Sequence, residues 1–592
     1  MNNTNIADIY SGLCIRLKNE MNSEGFWTGE LSSSALSTAV AITALKINGN
    51  PDDCKIINDG LEWLLRIIND DGGFGDTPES LSNVSTTLLS YAAINYCQTN
   101  GNGAESIKRM KEWLALNGIY LDPESITKSI LRFYGKDYTF SVPILAMLNI
   151  CNVIQRESAR HIPGLPFELT LLPQSLYRFF NLRVVSYALP ALIGVGIFLL
   201  KQRNSKNPVS FLRSLFIKPA IDRLNKLLPE SGGFLEAIPL TGFVALCLIA
   251  SNRPDNKTVT KGLEFLRLQQ RKAGGWPIDT DLSTWVTTLT IKALGKDLRK
   301  NLDEEQAGRL RKHILALQYK SVHPFNGAKP GGWGWTSHSG SVPDADDTPG
   351  AILALLEMFT GSEDEINAIL LGCEWLTELQ NKDGGFPTFC KGWGRLPFDK
   401  SCADLTGHAL LAMLKSLCEI DSMPAALRKR LTISINKAAT YLEKQQIKNG
   451  SWLPLWFGNQ LTETKSNPVY GTAKVSIYLS DCLNLNLPDE KLKNNLSVML
   501  EKAHAYLIVN QNTDGSWGGE KDVEGTIEET SLAISALAAK DETACLNGLQ
   551  WLDRNSGMKA SPIGLYFAML WYDEKMYPMI YYTEACRRLL IK

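Results

Sequence analysis

Apolar residues recur along this chain at three- and four-residue spacing, as in Leu36 to Leu45, Ala351 to Met358 and Ser531 to Ala538, and strand-like alternation is almost absent. That spacing gathers apolar positions on one helical face, so the pattern predicts an all-α protein. A second pattern punctuates the helices: a helix ending in Gln or Asn, a short polar turn, then Gly-Gly or Gly-Ser followed by an aromatic residue. It runs from Lys261 through Gln270 to Gly274-Gly275-Trp276, and from Gly372 through Gln380 to Gly384-Gly385-Phe386. It recurs at Gln446 with Gly450-Ser451-Trp452 and at Gln511 with Gly515-Ser516-Trp517, with weaker copies at Gly60 to Phe74, Gln318 to Trp333 and Glu24 to Trp27. The first Gly permits positive φ and a chain reversal, the aromatic ring covers the turn, and the Gln amide can bond freed backbone groups. Units of this kind bury their apolar faces by stacking, and helix pairs closed into barrels are predicted.

Composition narrows the partners. Hydrophobic residues make up 44% and charged residues 21% of 592, the balance of a folded globular chain. The length allows roughly two to four domains, and two large ones is the working count. The formal net charge is −1 with no long basic run, so no nucleic-acid partner is expected. Twelve cysteines are scattered singly, without a C-x-x-C pair, and the polar start MNNTNIADIY carries no secretory signal. Reduced thiols in a cytoplasmic protein are expected. The uncharged run Val184 to Leu200 reaches the lower length limit for crossing a bilayer, but Pro190, Gly194 and Gly196 weaken it, and a buried barrel helix accounts for it as well.

Two acidic segments carry candidate chemistry. Gly331-Gly332-Trp333-Gly334-Trp335 leads to Pro343-Asp344-Ala345-Asp346-Asp347-Thr348 and then to the helical run Pro349 to Met358. On an open surface these carboxylates would be a solvated helix N-terminus, favoured by the macrodipole. Crowded together they cannot all ionise, so the cluster holds a proton at neutral pH and titrates as a group. Protonating an isolated C=C bond requires such a neutral acid, and a cation to stabilise its conjugate base. Downstream, Asp404-Leu405-Thr406-Gly407-His408 places Asp404 and His408 on one helical face. A lone helical His in that position is also a packing or capping residue.

The Gln-Gly-Trp repeat resembles the QW motif of triterpene cyclases. D-A-D-D and D-L-T-G-H resemble the D-x-D-D and D-V-T-A-H segments of class II terpene cyclases of the squalene-hopene cyclase type. The resemblance runs from Trp27 to Pro578. It implies two (α/α) barrels facing each other across a large apolar cavity: residues 19–280 form one, inserted between an N-terminal segment, 1–18, and the catalytic barrel, 281–592. It further implies that Asp346 protonates an alkene of squalene or a related linear isoprenoid, which then cyclises through carbocations to a polycyclic terpenoid. Asp344 and Asp347 complete the acid cluster, His408 hydrogen-bonds Asp346 with Asp404 nearby, and no metal or cofactor is implied. A protein prenyltransferase subunit has a similar barrel, so the repeat alone does not decide function.

A carbocation needs π-faces and no basic atom or water. By motif, Trp285 falls at a family cavity Trp, Trp335 where squalene cyclases have Phe, and Phe389 at a cavity Tyr. Phe398 follows a matching Leu-Pro, and Trp456 and Tyr470 match a Trp and a Tyr. Each of these aromatics is equally a core packing residue. Near the C-terminus Ser561-Pro562 and a predicted helix, Leu565 to Tyr572, replace most of a string of Phe and Tyr. Ser561, Leu565 and Met569 then occupy positions that assist later ring-forming cations, with Tyr572 retained, so fewer rings, or a shorter or functionalised chain, are expected. A diphosphate-bearing prenyl substrate stays open because D-x-D-D serves there too. Residues 207–228 mix Phe211, Leu212, Leu215, Phe216 and Ile217 with Arg213, Lys218, Arg223 and Lys226, as an interfacial amphipathic helix does, so peripheral attachment to the cytoplasmic membrane is expected, with a solvated barrel helix as the alternative. No D-D-x-x-D magnesium motif is present, and Asp399, Cys402 and His408 make an unconvincing zinc set. A non-catalytic barrel would leave both acidic segments without a purpose. Oligomeric state stays open, a homodimer included.

Overall fold

The computed structural model describes residues 3–98, 103–135, 138–180, 185–203, 207–487, 489–555, 557–566 and 569–591. Helices Ser283–Leu294, Asp347–Glu357, Ala403–Glu419, Pro468–Leu483, Ile527–Leu537 and Tyr577–Leu590 each pack on the next, and the last returns to the first, closing a ring. Around it stand Glu304–Leu317, Glu363–Leu379, Ala425–Gln445, Glu490–Val509 and Glu542–Arg554, with Asn3–Asn19 against Tyr577–Leu590. A second ring is closed by Ala35–Asn48, Val84–Cys97, Tyr138–Ile150, Val185–Arg203 and Ile238–Ala250. Inner helices are buried on nearly every face because both the ring interior and the outer layer cover them, as in Thr472 to Leu479. Outer helices such as Cys54–Arg66 bury one stripe only, through Ile57, Gly60, Trp63 and Leu64. The architecture is the pair of (α/α) barrels that the sequence predicts.

The repeats close these barrels through a conserved set of contacts. Gln380 donates to the carbonyls of Gly384, in its own turn, and Ser434, in the next outer helix, at 2.8 and 2.9 Å. Gln270, Gln318, Gln446 and Gln511 each bridge the equivalent pair. Gly384 sits at φ 95°, where a side chain would be strained. The indole N–H of Trp333 bonds back to Ile314 O at 2.7 Å, and its ring lies against Gly372, where an added Cβ would come within 2.9 Å. The glycine that opens one repeat, inside its helix, is thus the socket for the preceding repeat's Trp, which is why the two residue types recur together.

Three expectations are decided by packing. Helix Val185–Arg203 takes up the uncharged run, Val184 lying outside the described residues; Gly194 backs onto Val244 and Gly196 onto Phe167, so it is a barrel helix. Among the described residues no helix is long and apolar enough to cross a membrane. Segment 207–228 is not one amphipathic helix: it forms Pro208–Ser214 and Ile217–Leu227, because Ile217 turns inward onto the barrel while Phe211, Leu212 and Leu215 stay exposed. Leu565 to Tyr572 is not a helix but a hairpin, with Gly564–Tyr566 antiparallel to Leu570–Tyr572. Pairing decided that stretch: Leu565 N–H bonds Trp456 O at 2.7 Å, and Trp571 N–H bonds the Asp76 carboxylate of the other barrel at 2.9 Å. All twelve cysteines are free thiols.

Candidate active site

The acidic segment is positioned by the turn before it. Gly332 lets the chain pass against Pro343 and Trp375, and Asp344 N–H bonds Trp333 O at 3.0 Å. Thr348, in the first turn of helix Asp347–Glu357, accepts the Trp333 N–H at 3.0 Å, tying turn to helix. Asp344 Oδ1 accepts the backbone N–H groups of both Asp346 and Asp347, each at 2.8 Å, so Asp344 caps this helix start. All three aspartates border one cavity, but Asp344 and Asp347 are buried whereas 23% of the Asp346 side chain is accessible. Burial raises all three carboxyls, and for Asp347 the neighbouring Asp344 and Asp346 add to the rise. Asp346 reaches about 6, Lys474 pulling it down against burial.

His408 Nδ1 lies 3.3 Å from Asp346 Oδ1. Its imidazole stacks on Tyr478 at 4.7 Å between centroids and meets Trp285 edge-on at 6.0 Å. Asp404, one turn earlier on the same helix, accepts the Cys402 thiol, and burial together with Asp346 raises it to about 6. Asp399 accepts the Gly394 and Leu396 N–H groups and so serves its own loop. Among the described residues no group of His, Cys, Asp and Glu is arranged to hold a metal ion.

The cavity at Asp346 measures about 110 Å³ and is lined by Trp285, Trp335, Phe389, Trp456, Leu565 and Tyr572, together with Leu282, Thr388, Phe457 and Tyr566. A second apolar space of about 50 Å³ lies toward the other barrel, walled by Phe398, Tyr566, Leu36, Phe140, Leu235 and Phe243. Tyr566 borders both, so aromatic side chains divide the apolar chamber between the barrels. Trp335, Phe389, Phe398 and Trp456 form a chain of rings at 5.8, 5.8 and 6.3 Å. Tyr470 is fully buried and stacks on Phe457 at 4.2 Å, one layer back from the cavity. Met569 stands apart from the cavity, at φ 55° in the hairpin turn and 47% exposed. Ser561 N–H bonds the buried Glu528 carboxylate at 2.8 Å, away from the cavity.

Several residues near the acid escaped sequence reasoning. Lys474, Tyr478, Tyr577 and Tyr581 crowd beneath Trp285; its indole N–H bonds Tyr577 OH at 3.1 Å. The available signal was helical spacing, since Lys474 and Tyr478 follow Tyr470 at successive turns of one face.

Two family models and several known proteins match the chain. The family model of the squalene-hopene cyclase C-terminal domain matches residues 282–561, and that of the N-terminal domain matches residues 14–148. The chain is 28% identical over 391 residues to a terpene cyclase-glycosyl transferase fusion protein of Humicola fuscoatra, covering 58% of this chain and 28% of that protein. It is 23% identical to enfumafungin synthase of Hormonema carpetanum, over 93% of this chain and 45% of that one, so the chain spans less than half of either fungal protein. A probable squalene-hopene cyclase of Sinorhizobium fredii is 22% identical, over 90% and 87% of the two chains. In fold, the chain superposes on ent-copalyl diphosphate synthase from Streptomyces platensis with a TM-score of 0.59 and 17% identity, over 99% of this chain and all of the other.

Proposed function

The chain belongs to the squalene-hopene cyclase family, and from that premise we propose that it is a class II terpene cyclase in which Asp346 protonates an alkene of a linear isoprenoid and starts its cyclisation. The observation that carries this reading is the position of Asp346: a carboxyl whose hold on its proton burial strengthens, the most accessible of its trio, opening onto an aromatic-walled cavity with His408 behind it. Such a site delivers a proton to an apolar chain and offers the resulting cation ring faces instead of water. Trp285, Trp335, Phe389, Trp456 and Tyr572 are the cation-facing residues in this reading, Phe398 guards the second space, and Tyr470 holds Phe457 in place. Residues 281–592 with 1–18 are the catalytic unit and residues 19–280 the inserted barrel.

The substrate is proposed to be short, or closed into few rings. Leu565 stands at the cavity wall where an aromatic residue would serve a late cation, Met569 faces away, and the spaces of about 110 and 50 Å³ fall well under the roughly 300–1,000 Å³ of ordinary ligand pockets. Attachment to a membrane surface is proposed through Phe211, 70% exposed, with Leu212, Leu215 and Phe179. One experiment tests these points: wild-type and Asp346→Asn protein are incubated with squalene and with geranylgeraniol, with and without liposomes, and products are resolved by gas chromatography. Cyclic product that needs liposomes and disappears in the variant is expected. Product surviving the substitution removes Asp346 as the acid, pentacyclic hopene from squalene removes the proposal of few rings, and full activity without lipid removes the membrane surface.

A further inference from the structure

We propose that Lys474 is the positioning cation of the acid: its ammonium, and not an imidazolium at His408, balances the charge Asp346 acquires when its proton passes to the substrate. The proposal rests on the cyclase reading above and names the residue that makes the acid strong enough for it.

Lys474 lies on the inner helix Pro468–Leu483 and is buried inside the catalytic ring. Among the described residues no carboxylate comes within ion-pair distance of its ammonium. It rests instead on three ring faces, at 5.5 Å from the centroid of Trp285, 5.3 Å from Tyr478 and 5.7 Å from Tyr581. The other buried charges nearby are already matched. Lys292, from helix Ser283–Leu294, lies 3.4 Å from Glu584 of helix Tyr577–Leu590. Arg588 takes Glu584 at 2.9 Å and Asp481 at 2.7 Å. Glu528, on helix Ile527–Leu537, holds Ser561 N–H. The ammonium also acts on Asp346, at the start of helix Asp347–Glu357, and on Asp404 and His408 of helix Ala403–Glu419. The geometry that joins them is the His408 ring, which shares Tyr478 and Trp285 with Lys474 and whose Nδ1 lies 3.3 Å from Asp346 Oδ1. Asp404 holds the Cys402 thiol and does not border the cavity, so Asp346 is the carboxyl of the two that can pass a proton to a substrate and whose ionisation the ammonium would then balance.

His408 cannot readily supply that charge. Its ring shares Tyr478 and Trp285 with the Lys474 ammonium, so a proton on the imidazole would face one buried ammonium across those rings and a second at Lys292. Burial, then Lys474, then Lys292 hold His408 well below its ordinary value, in agreement with the geometry. The imidazole is therefore a neutral hydrogen-bonding partner that orients Asp346. In the reacting step the Asp346 O–H bond breaks and a C–H bond forms from the alkene π pair, leaving a carboxylate on the enzyme and a carbocation on the chain. The carboxylate then meets an ammonium already in place, while the ring faces that held the ammonium are themselves unreactive. Loss of a proton from the final cation, or addition of water to it, and reprotonation of Asp346 from water close the cycle.

Lys474→Met and Lys474→Arg proteins, with the wild type, are assayed for turnover of squalene and geranylgeraniol in liposomes across pH. Without the ammonium Asp346 is a weaker acid that keeps its proton longer, so the Met variant should turn over about tenfold more slowly while its basic limb moves up by about one pH unit, and Arg should restore both. A slow variant with an unmoved basic limb, as a merely structural Lys would give, overturns the proposal, as does an unchanged rate. The second measurement needs no variant at Lys474 and no turnover: in wild-type protein carrying 13C-labelled histidine, the His408 ring, assigned by its loss in His408→Gln, should show neutral-form shifts at pH about 6, and imidazolium shifts there sink the idea. Wild-type protein that converts neither probe contradicts the cyclase reading, and the histidine measurement then still decides the charge at His408.

Discussion

Within the acidic triplet, neighbouring residues of one type do different work because they bond differently. Asp344 spends one oxygen on two backbone N–H groups, the task of a helix cap, while Asp346 caps nothing and turns to the cavity. The two sequence readings of this segment, helix start and acid, are thus both realised, on different residues. An exchange at Asp344 separates them. Asn keeps an acceptor for both N–H groups, so Asp344→Asn should unfold within about 0.5 kcal/mol of the wild type, whereas Asp344→Ala should lose about 1 kcal/mol. Urea denaturation reads the effect; equal destabilisation by Asn and Ala contradicts this division of labour. The acid was legible because its members are adjacent in sequence. Lys474 was not, because a helical lysine ordinarily faces water and only closure of the ring surrounds this one with aromatic residues.

At the scale of elements, what the sequence displays is the joint between helices. Gln380 and both carbonyls it holds are buried or nearly so, and Ser434 O, inside helix Ala425–Gln445, also has the N–H of its own helix, which leaves Gly384 O as the carbonyl that depends on Gln380. Gln380→Leu should therefore lose two hydrogen bonds and strand Gly384 O, lowering stability by about 1–3 kcal/mol, with Gln446→Leu, at a more open joint, losing less. Comparison of urea midpoints checks this; a Gln380 variant as stable as the wild type would show that the Trp and Gly contacts hold the joint unaided. These joints could be read directly because Gln, Gly and Trp lie within some twenty residues of one another and each has a local reason to be there. The hairpin at 564–572 could not. Leu-Tyr-Phe-Ala-Met-Leu-Trp-Tyr is a short apolar run that suits helix or strand, and distant partners decided between them: Trp456 in one barrel and Asp76 in the other. The stacked repeats predict closure into barrels, but no local pattern says which helix returns to the first.

The molecule as a whole is held by buried carboxylates that its net charge of −1 conceals. Glu574 accepts the N–H groups of Glu30 and Met576, Glu528 that of Ser561, and Glu529 is bonded by Asn459, Asn467 and Thr526, so these acids pin the loops from which the cavity is built. Burial raises each: Glu574 and Glu528 to about 8, Glu529 and Asp344 to about 7. Between pH about 6.5 and 8 the unfolded chain has already lost these protons while the folded chain still holds part of them, so folding binds protons there and rising pH favours unfolding. Opposing groups act outside that window. His313 and His323, lowered by burial to about 4, favour the fold as pH rises only up to their ordinary value of 6.5, and Lys474, lowered to about 8, does so only above that pH. Glu584, lowered to about 2 by Lys292 and Arg588 against burial, is ionised in both states throughout. The thermal midpoint should accordingly fall by a few degrees from pH about 6.5 to 8 at constant ionic strength, and Glu528→Gln should flatten the slope by removing one of the titrating protons. Differential scanning calorimetry at matched salt measures both. A midpoint that rises across the window would mean that the buried acids are ionised in the folded protein, and with them the neighbours that are meant to keep Asp346 ready to give up a proton.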